Sequence, residues 1–245
     1  MRARTRAAFP SAEAIFAAAF ITAFVWPCPP VAGAAPVSVR LSNEFTLSRW
    51  AYPTYASKVR MAPRTTAHTF TRLRYRTEDG QPELYIALRS AIRKRGLEWV
   101  QVRIPGRPNG RKGWIKRTAL GPFHVVRKAL VVNRKTLRAT LYFRGNRIWH
   151  APVGVGRPSS PTPAGRFYVR EKLRSLDPFY GPVALGTSAY GTATDWPGHG
   201  VVGLHGTSMP WLVPGRPSHG CIRIKNRQVV RLDRLTPLGT PVRIK

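Results

Sequence analysis

The sequence predicts a mainly β protein with one or two helices. Three observations carry this. Apolar and β-branched residues recur in short runs, those runs are punctuated by glycine, proline and asparagine turn signals, and only one segment shows a good helical pattern. A break near Gly121-Pro122 divides the runs into an earlier and a later set.

Before the break, Ser57 to Met61, Phe70 to Arg76, Glu83 to Arg89, Glu98 to Ile104 and Gly113 to Lys116 read as strands. Glu78-Asp79-Gly80, Pro105-Gly106 and Pro108-Asn109-Gly110 supply the turns between them. After the break, Ala129 to Asn133 and Ala139 to Phe143 alternate like hairpin arms, and a turn at Gly145-Asn146 leads to Ile148-Trp149 and Val153-Gly154-Val155. Thr162-Pro163-Ala164-Gly165 is a stiff turn feeding the strand from Arg166. The helix is predicted after Asn226 as its cap, with Val229, Val230, Leu232 and Leu235 on one side. Pro237 and Gly239 close it, and Val242 to Ile244 form a last strand. Residues 171–200, rich in glycine, proline and aromatics, read as a long segment able to fold over a site, with Tyr180 and Tyr190 lining it.

Trp99-Val100-Gln101-Val102 followed by Gly113-Trp114-Ile115 resembles the paired late strands of the Src-homology-3-like small barrels that bacteria attach to wall enzymes. That resemblance covers residues 41–120 and implies an independently folding, wall-associated barrel. Its tryptophans read as core before they read as a ligand groove.

Residues 1–35 read as a secretory signal peptide: Arg2, Arg4 and Arg6, an apolar stretch from Ala14 to Trp26, then Ala32-Gly33-Ala34. The stretch is short for a membrane span, and an uncleaved anchor is the alternative. Trp26-Pro27 before Cys28 lacks the pattern of a lipid-modified cysteine. Export predicts a periplasmic or cell-wall location and a mature chain with one thiol, Cys221. With 41 Lys+Arg against 10 Asp+Glu the formal charge is +31, of which the leader accounts for two. Such a field attracts polyanions, and export makes anionic wall polymers the expected partner. The basic residues run from Arg40 to Lys245 without zinc-finger spacing, a ribonucleoprotein motif or an arginine-rich block, so no nucleic-acid partner is expected.

The chemistry concentrates in Ser218-His219-Gly220-Cys221-Ile222-Arg223 and the upstream His205-Gly206-Thr207. A thiol becomes a useful nucleophile near neutral pH when a base or cation favours the thiolate, and both stand nearby. A lone cysteine is more often a small buried hydrophobe, but an exported chain gains nothing from an idle thiol.

The ordered set Gly154-Val155-Gly156, Thr162-Pro163-Ala164-Gly165, Asp177 to Gly181, His205-Gly206-Thr207 and Ser218 to Arg223 resembles the L,D-transpeptidase catalytic domain of the YkuD family, over residues 124–245. His205 precedes Cys221 by sixteen residues, within the family's usual separation. The resemblance implies a β-sandwich-like catalytic domain and an exported peptidoglycan enzyme that needs no cofactor or metal. Its substrates are the donor and acceptor stem peptides. By that resemblance Cys221 attacks the carbonyl at the L-centre of the donor's third residue, expels D-Ala and passes the acyl group to another stem's amine, leaving a 3→3 cross-link. Some members have Asn where Arg223 stands, so contacts made through that position do not transfer.

The residues take roles on chemical grounds as well. Cys221 is the nucleophile. His205, from a separate strand end, approaches it as general base, a choice the resemblance shares; His219, two residues from Cys221, is the competitor. The Gly206 carbonyl is the expected acceptor orienting His205, since no Asp adjoins it. The N–H groups of Gly220 and Cys221 are the expected oxyanion donors. Arg223, with Ser218, Tyr180 and Tyr190, is assigned to substrate binding, the arginine by pairing with a carboxylate. An L,D-carboxypeptidase, with water as acceptor, is the enzymatic alternative. A non-catalytic basic wall-binding protein is the alternative from another class, disfavoured by the presence of both Cys221 and His205. A metal hydrolase on His199, His205, His219 and Cys221 lacks a supporting ligand spacing.

Overall fold

A computed structural model describes residues 37–92, 96, 98–174, 177–192 and 200–245, and Pro36–Lys245 forms one compact unit. The expected leader, Cys28 and His199 lie outside the described residues.

The first sheet contains β1 (Val37–Arg40), β2 (Ser48–Ala51), β3 (Lys58–Arg60), β4 (Thr69–Arg72), β5 (Tyr85–Ile92), β6 (Glu98–Arg103), β7 (Lys112–Lys116) and β8 (His124–Val126). Its order is β4-β3-β7-β6-β5-β2-β8, and β1 also pairs with β5. The long strand β5 thus has two partners on one edge, β2 over Tyr85–Ala87 and β1 over Arg89–Ile92. Its inner face buries Val59, Leu73, Tyr85, Ala87, Val100, Val102 and Ile115. The predicted Trp99 and Trp114 strands are the antiparallel pair β6 and β7; Trp99 is buried and Trp114 half-buried. Strand β8 follows the Gly121-Pro122 break yet pairs with β2, so the change of sheet falls after Val126.

The second sheet system comprises β9 (Lys128–Asn133), β10 (Arg138–Phe143), β11 (Asn146–Pro152), β12 (Gly154–Gly156), β13 (Gly165–Arg174), β14 (Val183–Tyr190), β15 (Val201–His205), β16 (Gly215–Ser218), β17 (Ile222–Arg223) and β18 (Pro241–Ile244), with α1 (Asn226–Leu235). Strands run in the order β11-β10-β9-β18-β13-β14-β15-β17-β12-β16. Strand β13 joins two halves: Gly165–Tyr168 pair with β18, and from Val169 on the strand pairs with β14, with a register shift between Val169 and Glu171. A bulge re-aims a strand, so one chain segment can serve two sheets. Leu130, Leu141, Trp149, Phe167, Leu185, Leu204 and Ile222 fill the space between them, and α1 adds Val229 and Leu232.

Two expectations change here. Most of residues 171–192 is not a loop but the end of β13, the turn Pro178–Tyr180 and β14. The helix is capped by Lys225 without a side-chain bond, and Asn226 is its first residue, its amide oxygen used elsewhere.

The two sheet systems also share a core, against the expectation of an independent barrel. Trp50, Leu84, Ile86, Leu88 and Val126 from the first pack with Tyr168 and Leu238 from the second. The Tyr168 hydroxyl donates to the Leu84 carbonyl at 2.9 Å. A Cβ on Gly239 would come 2.0 Å from the Trp50 ring, which is why only glycine fits there. Beside this apolar patch Arg170, fully buried, donates to Glu83 at 2.9 Å and bonds Glu78, and Arg74 bonds the same two carboxylates at 3.2 and 2.9 Å. Burial alone pushes Glu78 up, but the Tyr190 hydroxyl and the charges of Arg170 and Arg74 outweigh it and hold the carboxyl at about 2.

Buried charges tolerate loss of one partner poorly, because the remaining charge is left desolvated. Arg170→Ala is therefore expected to cost about 3–5 kcal/mol of stability in urea unfolding, whereas exposed Arg72→Ala changes it by less than about 0.5 kcal/mol. A chain beginning at Pro122 loses the partners of Tyr168 and Arg170. Differential scanning calorimetry should show it melting well below residues 36–245, or not folding.

Candidate active site

The site is built by two parallel strands. Leu204 pairs with Ile222 and His205 with Arg223 across β15 and β17. Paired residues project to one side of a sheet, and Cys221, two before Arg223, falls on that side as well. The result is a small cavity of about 20 Å³ lined by Phe179, Tyr180, His205, His219, Cys221 and Arg223, among others. That is room for roughly one water.

The turn carrying the cysteine is held by its carbonyls. Four in succession accept bonds: Ser218 from the Arg157 N–H at 2.9 Å, His219 from the Ser160 hydroxyl at 2.8 Å, Gly220 from the Thr162 hydroxyl at 2.8 Å and Cys221 from the Ser218 hydroxyl at 2.6 Å. Thr162 also accepts from the Gly156 N–H at 2.8 Å, and a Cβ on Gly156 would clash with the Ser160 carbonyl. The glycine and Thr-Pro motifs thus brace the nucleophile's turn. Gly220 sits at φ +128°, a region costly for any residue with a Cβ. Its N–H donates to the Ser218 hydroxyl at 3.2 Å, which takes it from the expected oxyanion role and leaves the Cys221 N–H. Ser218, expected to contact substrate, uses its hydroxyl twice within the turn, as a brace.

His205 is buried, and its Nδ1 lies 2.6 Å from the Gly206 carbonyl. A carbonyl only accepts, so Nδ1 carries the proton and Nε2 is left with a lone pair. Gly206 is locked in turn. A Cβ there would meet the Asn226 amide oxygen at 2.3 Å and Gly181 at 3.0 Å, and that same amide oxygen accepts from the Thr207 N–H at 2.8 Å. The Asp177 carboxylate accepts from the Phe179 N–H at 2.8 Å, starting the turn that lays the Tyr180 edge on His205 at 5.0 Å and Phe179 under the Arg223 guanidinium at 4.8 Å.

Burial, helped by the Arg223 charge, lowers His205 to about 4 against the backbone bonds of Gly206 and Tyr180. Burial pushes the Cys221 thiol up, and neither the Gly203 backbone bond nor the Arg223 charge reverses it. Burial likewise pulls Arg223 down, and its Nε has no hydrogen-bond partner among the described residues. At neutral pH the resting pair is a thiol and a neutral imidazole, in place of the thiolate expected from the cluster of cations. The cause is desolvation, which disfavours both charged forms.

Of the predicted site residues, Cys221, His205, Ser218, His219, Gly220, Arg223 and Tyr180 line the one cavity, and Gly206 holds His205 from behind. Tyr190 does not join them: it is buried between the sheet systems and its hydroxyl donates to Glu78 at 2.5 Å. As the last residue of β14 it was carried there by a strand where a loop was expected. Phe179, Ser160 and Asn226 were missed as supports. Only Asp177-Pro178, a strong turn signal, marked one of them in the sequence.

Comparison with known proteins bears on the domain that carries this site. Residues 127–244 match the family model described as the YkuD L,D-transpeptidase catalytic domain. YkuD of Bacillus subtilis (strain 168) is 32% identical over 124 residues, which are 50% of this chain and 66% of that protein. YbiS of Escherichia coli (strain K12) is 26% identical over 137 residues, 48% of this chain and 44% of that one. A crystal structure of an Enterococcus faecium L,D-transpeptidase mutant is similar over 48% of this chain and 49% of its own, with 24% identity and a TM-score of 0.38. The chain thus spans from 44% to 66% of the length of these relatives. On the sequence match, residues 127–244 are a catalytic domain of the YkuD L,D-transpeptidase family.

Proposed function

We propose that this chain is an exported peptidoglycan L,D-transpeptidase that forms 3→3 cross-links through a thioester on Cys221. The observation that carries the reading is the pairing of His205 with Arg223 across β15 and β17, which gathers base, cation and thiol around one cavity.

The chemistry follows from the neutral pair. As Cys221 sulfur attacks the carbonyl at the L-centre of the donor stem, its proton passes to Nε2 of His205, and the Cys221 N–H meets the developing oxyanion. The Gly206 carbonyl stabilises the imidazolium that forms. That imidazolium then protonates the amine of the departing D-Ala as the C–N bond breaks, leaving the thioester and a neutral base. An acceptor amine gives its proton to His205, attacks the thioester and releases the thiol. Arg223, desolvated and lining the cavity, is placed to bind the carboxylate of the terminal D-Ala. The surplus positive charge supports anionic wall polymer as a second partner, and it fits an exported location.

Intact-protein mass spectrometry with a carbapenem is expected to add one adduct at Cys221 and none to Cys221→Ala; an adduct on the alanine variant contradicts the assignment. His205→Ala should acylate about 10²–10⁴-fold more slowly, the usual worth of a positioned base. Only neutral His205 accepts a proton, so the acid limb of the acylation rate should fall near pH 4, well below an ordinary histidine. A limb near pH 6.5 moves the base elsewhere. Arg223→Ala should weaken binding of a D-Ala-terminated tetrapeptide by about 2–5 kcal/mol, read from the half-saturating concentration, and spare a peptide amide of the same sequence.

A further inference from the structure

The first sheet reaches the active site through the loop between β6 and β7. Asn109, in the loop between β6 and β7, accepts from the Tyr190 N–H at 3.0 Å and donates to the Tyr190 carbonyl at 2.7 Å. A carboxamide bonded to both backbone groups of one residue acts as a neighbouring strand would. It does so where that neighbour is missing, because β13 pairs with β14 no further than Thr187. Next to it Arg107 donates to the Gly191 carbonyl at 2.9 Å and lies over the Tyr190 ring at 5.1 Å. The Tyr190 hydroxyl is fixed to Glu78, also from the first sheet.

Gly191 is a wall of the catalytic cavity. A Cβ on it would lie 3.8 Å from the His219 carbonyl, and a Cβ on Gly220 would lie 4.0 Å from its Cα. The two backbones therefore face each other across no more than the space of a methyl group, so the position of Gly191 bears on the turn that carries Cys221. The Gly191 N–H donates to the Gly200 carbonyl at 2.8 Å, which extends the same wall.

We infer that Asn109 and Arg107 are positioning residues for the reaction at Cys221: the first sheet clamps Tyr190-Gly191 against the nucleophile's turn. This rests on the acyl-transfer function proposed above. It also assigns the first sheet a part in catalysis, beyond holding the enzyme near the wall. The clamp acts through backbone placement, and neither side chain touches substrate.

The experiment uses the full chain and two reagents, a carbapenem for the proposed chemistry and iodoacetamide for the thiol alone, with peptide mapping to separate Cys221 from Cys28. Asn109→Ala should lower the maximal carbapenem acylation rate by about ten- to hundredfold, the scale of a slight misplacement of reacting groups, with the half-saturating concentration changed far less. It should also change the alkylation rate of Cys221 several-fold. Asn109→Asp keeps the acceptor and loses the donor, so it should fall between. Arg107→Ala, which removes the bond to the Gly191 carbonyl and the stacking on Tyr190, should lower both rates and serves if Asn109→Ala does not fold. Thr54→Val, which deletes a bond to the Thr118 carbonyl between two turns that flank the same sheet, should match wild type in both assays. Folded clamp variants with wild-type alkylation or wild-type acylation rates overturn the clamp. If wild type itself takes no carbapenem, the proposed function is contradicted, and the alkylation rates alone decide the clamp.

Discussion

The parallel pairing of β15 with β17 is the constraint on which the site depends. It sets His205 opposite Arg223 and leaves Cys221 two residues earlier on the same side. A slip of one residue would turn every side chain of β17 to the opposite face and separate the base from the thiol. Much of the surrounding structure serves to prevent that slip. The four accepting carbonyls from Ser218 to Cys221 fix the approach to β17, and the Asn226 amide fixes the exit from β15. Apart from the Arg157 N–H, each brace is a short polar side chain within hydrogen-bond reach, so it fixes position without filling the cavity.

The same construction sets the electrostatics. Enclosing His205 and Cys221 lowers one pKa and raises the other, so the proton moves only when substrate is there to receive the sulfur. The arrangement also carries a stability cost at low pH. His205 is held near 4 when folded and returns to about 6.5 when unfolded, so the unfolded chain binds the extra proton first. The contribution is fully present above pH 6.5 and is lost as pH falls toward 4. It amounts to about 3 kcal/mol for a shift of this size.

The strands with alternating patterns and glycine turns were legible, and so was the cluster of Cys221, His205 and Arg223, because both signals are local. Residues 183–190 were not read as a strand, since a β14 buried on both faces shows no alternation, and Tyr190 was misplaced with it. Asn226 looked like a helix cap by its position, but its amide oxygen was taken by Thr207 from nineteen residues upstream. The merging of the two halves was hidden for a similar reason. Glu83 and Arg170 each look like ordinary solvated charges until the fold buries them together. Long-range pairing leaves no periodic trace in a single sequence, whereas turn chemistry and motif spacing do.

The central claim is that a neutral His205, protonated on Nδ1 by virtue of the Gly206 carbonyl, is the base for Cys221. Nitrogen-15 NMR of histidine-labelled protein tests this directly through the tautomer and titration of a single ring, assigned with His205→Gln. The account predicts an Nδ1–H tautomer at pH 7 that titrates near pH 4. A ring protonated on Nε2, or one titrating near 6.5 as an imidazole in water does, would contradict it.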